Sequence, residues 1–244
     1  MGNWAASDGL ILLQVLSGRM RQAPVRRHGT SRSERDRWRA TYERTPYRSL
    51  PWFDEGPSPH VELAVRERVL SPPSSVLDIG CGAGSNVLFL ARSGFAAHGI
   101  DLAPKAVATA RRRAEEEGLT VHVQEGDALT LPFPDQTLDG AVDNGCFHTI
   151  PIPRRRHYAR EVARVLRPDG VFLLGWIGRE TTTVEGPPHR PSLREVTTSL
   201  EPHFVFLRTW INEQPLRGPG PSENPWTMYY AFLRRRKGKQ PPPR

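Results

Sequence analysis

The chain has 244 residues, a formal net charge of +8 and two cysteines. That length can bury one full core with residues to spare. Cys81 and Cys146 are too few for a disulfide framework, so a reducing, cytoplasmic setting is expected, and with no run of about 18 apolar residues no membrane span is expected. The apolar piece LILLQVL (10–16) lacks a basic stretch before it and a small-residue cleavage site after it, so it is not read as a secretory signal. The positive charge sits at the ends. Residues 1–40 hold 8 Arg against 3 acids and residues 234–244 hold 6 basic residues and no acid, which leaves 41–233 at −3. Basic ends on a mildly acidic body read as solvated tails, so nucleic acid is not expected as a partner.

Residues 1–35 are expected to be a disordered basic leader and 234–244 a disordered basic tail, with one domain over 36–233. HVELAVRERVL (60–70) has apolar residues at helical spacing, and Pro72-Pro73 would stop it. SVLDI (75–79) reads as a buried strand, and NVLFLARSG as a helix with Gly94 at its C-terminal cap. AAHGID is a second strand; APKAVATARRRAEEEG is a helix with Pro104 in its first turn and Gly118 at its end. VHVQEGD and LDGAVDN are the third and fourth strands. RRRHYAREVARVL (154–166) is helical and stops before the turn signal Pro168-Asp169-Gly170. VFLLGWI is the fifth strand, and SLREVTTSL opens with Ser192 and Glu195 at capping-box spacing. FVFLRTWI and WTMYYAFL close the chain around a Pro/Gly-rich loop (215–225). Alternating strands and helices imply a doubly wound, Rossmann-like α/β sheet of seven mostly parallel strands. The last two strands, with no helix between them, must pair antiparallel, which puts one reversed strand near the edge.

The stretch VLDIGCGAGSN (76–86) places Gly80, Gly82 and Gly84 directly after the first strand. Glycine costs backbone entropy, so its use there points to a tight turn or to a ligand approaching the main chain. The spacing GxGxG departs from the GxGxxG of dinucleotide sites. Asp78 beside the turn would repel a pyrophosphate but suit the ammonium of an amino acid. Asp101 ends the second strand, where a carboxylate accepts ribose hydroxyls. A ligand with a ribose and a cationic amino-acid end is S-adenosylmethionine.

On these residues the chain resembles the class I S-adenosylmethionine-dependent methyltransferases over roughly residues 60–233. LDIGCGAG is similar to that family's first motif, GID to its ribose-binding acid, GDALTLPFPDQTLDGAV to its adenine loop and fourth strand, and VARVLRPDGVFLL to its helix-turn-strand. The resemblance implies that Gly80, Cys81, Gly82 and Gly84 surround the methionine moiety, that Asp101 and Leu102 hold the ribose, and that Asp127 and Ala128 lie along the adenine. The segment WRATYERTPYRSLPWFDEGPSP (38–59) together with DNGCFHTIP (143–151) resembles the thiopurine, tellurite and thiol/halide methyltransferase branch. In that branch a Trp/Tyr-rich segment closes over the cofactor, a part implied here for Trp38, Tyr42 and Trp52.

DNGCFHTIP follows the fourth strand, where an acceptor would meet the methyl group, and lacks the Asn/Asp-Pro-Pro-aromatic tetrad of base-amine methyltransferases. Asp143, which also borders the cofactor, and His148 are the candidates to orient or deprotonate an acceptor; His157 and Tyr158 follow. Arg154–Arg156 are read as a solvated helix start or as an attraction for an acidic acceptor. No Cys/His spacing suits a metal, so none is expected. The expected activity is methyl transfer to a small molecule, first a thiol or similar soft nucleophile. The alternatives are O- or N-methylation of a specialised metabolite or of a nucleic acid. The protein is expected to be a monomer or a homodimer.

Overall fold

The computed structural model describes residues 29–179, 189–212 and 227–237. The leader before residue 29, residues 180–188, the 215–225 loop with its flanks (213–226) and the tail beyond 237 lie outside the described residues. Seven strands form one sheet in the order β3-β2-β1-β4-β5-β7-β6. They are β1 (Ser75–Ile79), β2 (Ala96–Asp101), β3 (His122–Glu125), β4 (Leu138–Asn144), β5 (Leu166–Ile177), β6 (Phe204–Asn212) and β7 (Met228–Arg235). Strands β1 to β5 pair in parallel, while β7 runs antiparallel to both β5 and β6. The expected doubly wound sheet with a reversed strand next to its edge is present.

Alternation along the strands sorts the core into two layers. Leu77, Ile79, Ala141, Phe172 and Leu174 face α5 (Arg155–Val165) and α6 (Leu193–Leu200). Val76, Val142, Leu173 and Phe232 face α2 (Pro59–Arg66), α3 (Ser85–Arg92) and α4 (Pro104–Glu116). Pro59 and Pro104 sit in first turns, where a missing N–H costs nothing. Ser192 and Glu195 form the capping box read from the sequence.

Four boundaries differ from expectation. A helix α1 (Arg32–Arg44) begins inside the supposed leader, because the Ser31 hydroxyl accepts from the Glu34 amide and the Glu34 carboxylate accepts from the Ser31 amide. The domain therefore starts before residue 36. Helix α2 ends at Arg66, ahead of the prolines, where Arg68 turns left-handed at φ 58°. The Pro168-Asp169-Gly170 turn lies within β5 as an irregularity: Leu138 pairs Leu166, and Gly140 next pairs Val171. At the other end β7 continues to Arg235, so the tail starts later than residue 234.

After β1 the chain moves outward through β2 and β3, then returns to β4 on the other side. The carboxyl ends of β1 and β4 therefore flank the switch point where ligands of such sheets bind.

Candidate active site at the switch point

The glycine turn is held from both sides. The amides of Gly80 and Cys81 both donate to the Ile100 carbonyl at 2.9 Å, which ties the turn to the end of β2. Gly80, Gly82 and Gly84 have φ of 72°, 54° and 89°, a region that disfavours side chains. Their neighbours differ. A Cβ on Gly80 would lie 2.9 Å from the Cβ of Cys146, in the loop after β4; one on Gly82 would lie 2.8 Å from the Tyr42 hydroxyl. One on Gly84 would lie 2.8 Å from the Cβ of Ala110, so this glycine also lets α3 and α4 approach. Cys81 and Cys146 are packing residues, and burial pushes both thiols well up.

Three carboxyls converge on the turn. Asp101 accepts from the amides of Gly82 at 3.0 Å and Ala103 at 2.9 Å, with the Leu102 amide close by. Asp78 is buried; the Asn86 side chain bonds it, yet its Oδ2 has no partner. Asn86 in turn accepts the Ser58 amide at 2.8 Å, which pins the segment before α2 across the turn. Burial raises Asp78 to about 8, with repulsion from Asp143 and Asp101 adding to it, and burial against their hydrogen bonds raises Asp143 to about 7 and Asp101 to about 6. A site whose acids are forced toward neutrality is suited to a cation.

Asp143, expected to orient or deprotonate an acceptor, has no face left for one. It is fully buried, and its two oxygens accept from the Cys146 and Phe147 amides and from the Tyr158 hydroxyl. It builds the turn after β4 instead. His148, the other expected base, accepts the Ile177 amide at Nδ1 (3.0 Å), so its proton belongs on Nε2. Burial, then Arg155 and Arg190, lower its pKa to about 3. It is a neutral donor. His157 lies against the Leu129 carbonyl at 2.7 Å, away from this turn.

The aromatic segment does cover the turn. Tyr42 is buried over Gly82, Trp52 Nε1 lies 3.4 Å from its hydroxyl, and Trp38 meets Trp52 edge-on at 5.7 Å. The segment reaches further than expected. Asp127, beside the buried Ala128, accepts from the Thr30 amide and hydroxyl and from Arg35, each at 2.7 Å, as well as from the Leu129 amide. Its carboxylate is held by the N-terminal segment, so an adenine would share it or displace Thr30.

Sequence reasoning missed two polar residues here. His60 is fully buried and stacks on Tyr230 at 4.6 Å with both ring nitrogens unpartnered, and the Asn144 Oδ1 at the end of β4 is also unpartnered. Burial holds His60 neutral, with a pKa of about 3 despite the nearby Asp143 backbone. Nothing in PSPHVEL marks that histidine; only the packing of α2 on β5 and β7 brings it here.

The methyltransferase-domain family matches residues 76–170, which run from β1 through the turn within β5. Over those residues the chain matches a methyltransferase domain. The domain is 41% identical over 100 residues to a fatty-acid O-methyltransferase of Mycolicibacterium smegmatis, spanning 40% of this chain and 35% of that one. It is 30% identical over 125 residues to the 2-heptyl-1-hydroxyquinolin-4(1H)-one methyltransferase of Mycobacteroides abscessus, spanning 51% and 54%. The chain thus spans about half or less of these relatives' length. A solved structure described as "Conversion of a Disulfide Bond into a Thioacetal Group during Echinomycin Biosynthesis" superposes with a TM-score of 0.72 over 82% of this chain and 91% of that one; at 24% identity this is a likeness of fold. The cofactor that the sequence motifs imply for this turn is S-adenosylmethionine. The residues present fit it: the unpartnered Asp78 Oδ2 suits the ammonium, Asp101 the ribose, and the side-chain-free turn the chain between them.

Proposed function

We propose that the protein transfers the methyl group of S-adenosylmethionine to a small-molecule acceptor whose oxygen or sulfur arrives already ionised. The acid-ringed turn supports the first half. Bound there, the cofactor supplies an electrophilic methyl on a sulfonium, and the chain's work is alignment and exclusion of water. Asp78 would pair with the ammonium, Asp101 would accept the ribose hydroxyls while Gly82 and Ala103 hold it in place, and Tyr42 with Trp52 would cover the turn.

The observation that carries the second half is the state of the loop after β4. Both expected bases are committed: Asp143 to two amides and a phenol, His148 Nδ1 to the Ile177 amide. A protonated alcohol or amine needs a base worth about 10²–10⁴ in rate. A carboxylate or thiolate does not. His148 Nε2–H would help place such an anion. Between oxygen and the expected sulfur, the relatives favour oxygen, since one is a fatty-acid O-methyltransferase. The branch resembling thiopurine and tellurite enzymes stays part of this proposal only through its covering segment. The test is methyl-labelled cofactor with a panel of a fatty acid, a hydroxyquinolone, a thiophenol, a primary alcohol and an amine. Label is expected in the acids and the thiol; label confined to the alcohol or amine would contradict the reading.

A further inference from the structure

Arg155 opens α5 beside the acceptor-side loop and is 1% exposed, yet both of its terminal nitrogens, Nη1 and Nη2, lack a partner among the described residues. Its Nε donates to the Ile150 carbonyl at 3.0 Å, and the guanidinium lies over the Phe147 ring at 5.3 Å. These contacts fix its direction and leave its two-pronged end free. A buried guanidinium normally faces a carboxylate or phosphate, because an unpaired buried charge is costly. Glu195 acts on it but is engaged elsewhere: it accepts from the Ser192 amide and hydroxyl and pairs with Arg179 at 2.7 Å. More positive charge gathers at the same place. Arg179 acts on Arg155, and Arg155 and Arg190 act on His148. The N-terminus of α5 adds its own positive end. Of the readings made for Arg154–Arg156, Arg155 is not at a solvated helix start.

We infer that Arg155 is the receptor for a carboxylate on the acceptor, held in two-pronged fashion by Nη1 and Nη2 and stacked along Phe147. The inference rests on the methyl-transfer reading only in taking this ligand to be the acceptor. Carboxylate fits better than phosphate, since one planar fork meets one planar anion. The site would select acids and anchor them next to the loop after β4.

The experiment is calorimetric titration with octanoate and octanamide, on the free protein and on protein saturated with S-adenosylhomocysteine. Wild type should bind octanoate at least tenfold more tightly than octanamide. Arg155→Met should reduce that preference below twofold, and Arg155→Lys should restore part of it. Arg155→Met should also melt no lower than wild type in the absence of acid, because it removes an unpaired buried charge, and octanoate should raise the melting temperature of wild type alone. Equal binding of acid and amide to wild type, or a preference that survives in Arg155→Met, overturns the inference. Should Arg155→Met fail to fold, Arg155→Lys, which keeps the charge and loses the two-pronged end, carries the comparison, and a preference undiminished in it overturns the inference. Failure of the cofactor itself to bind would overturn the methyl-transfer reading while leaving the acid–amide comparison standing.

Discussion

At Asp101 the carboxylate is oriented before any ligand arrives, with one oxygen on the Gly82 amide and the other on the Ala103 amide. Asp101→Asn keeps one acceptor oxygen and loses the charge. Exchanging charge-assisted for neutral hydrogen bonds should weaken S-adenosylmethionine binding by about 1–1.5 kcal/mol, roughly five- to tenfold. An unchanged affinity would remove the ribose assignment. The acceptor side gives the opposite kind of expectation. His148→Ala should slow turnover by less than about tenfold, because a donor is lost and not a base. Asp143→Asn should act on stability: an amide cannot accept from Cys146, Phe147 and Tyr158 together, so the urea midpoint should fall by the equivalent of about 1–3 kcal/mol. A loss of 10²-fold or more in rate at unchanged stability would restore either residue as the base. Why does the sequence not show the partners of these two? Residue type and position along the chain announce chemistry, whereas the partners that neutralise it, the Ile177 amide and the Tyr158 hydroxyl, come from distant elements. The placement of Asp78 and Asp101 beside the turn was legible because a turn directly after a strand is local.

The elements around the turn are set by close approaches. Gly84 must be left-handed and must also leave room for Ala110 on α4. Gly84→Ala should therefore cost about 2–4 kcal/mol, combining backbone strain with overpacking, and chemical denaturation would measure it. A loss under about 1 kcal/mol would mean that the two helices part easily. The N-terminal segment behaves as one element with α1. Deleting residues 1–28 keeps Thr30, Arg35 and the cap of α1, whereas deleting 1–36 removes Thr30 and Arg35 from Asp127 and that cap. The shorter deletion should leave cofactor dissociation unchanged, and the longer should speed it severalfold in a stopped-flow chase. Equal rates would show that the segment is no cover. Most strands and helices were legible, since periodicity, Pro and Gly fix them locally. Helix α1 was not, because RSERDRWRATYER has few apolar residues and is held by its capping box and by Tyr42 on the start of α4.

Across the whole molecule, the acids of the switch point and the buried histidines pull stability in opposite directions with pH. Asp78, Asp101 and Asp143 are raised, so the stability they contribute is complete below the ordinary carboxylate range and is lost as pH rises through about 6 to 8. His60 and His148 are lowered, so their contribution is complete above about 6.5 and is lost as pH falls toward 3. A cation bound among the acids would reverse the first trend, since it favours their charged forms. That linkage gives the most direct test of the central claim, that this turn is the S-adenosylmethionine site. Titrating wild type and Asp78→Asn with S-adenosylmethionine at pH 7, in buffers of different ionisation enthalpy, measures the protons exchanged on binding. The account predicts proton release by wild type, little release by Asp78→Asn, and a wild-type affinity that rises from pH 6 to about 8. Binding with no proton released, or release that persists in Asp78→Asn, would contradict it.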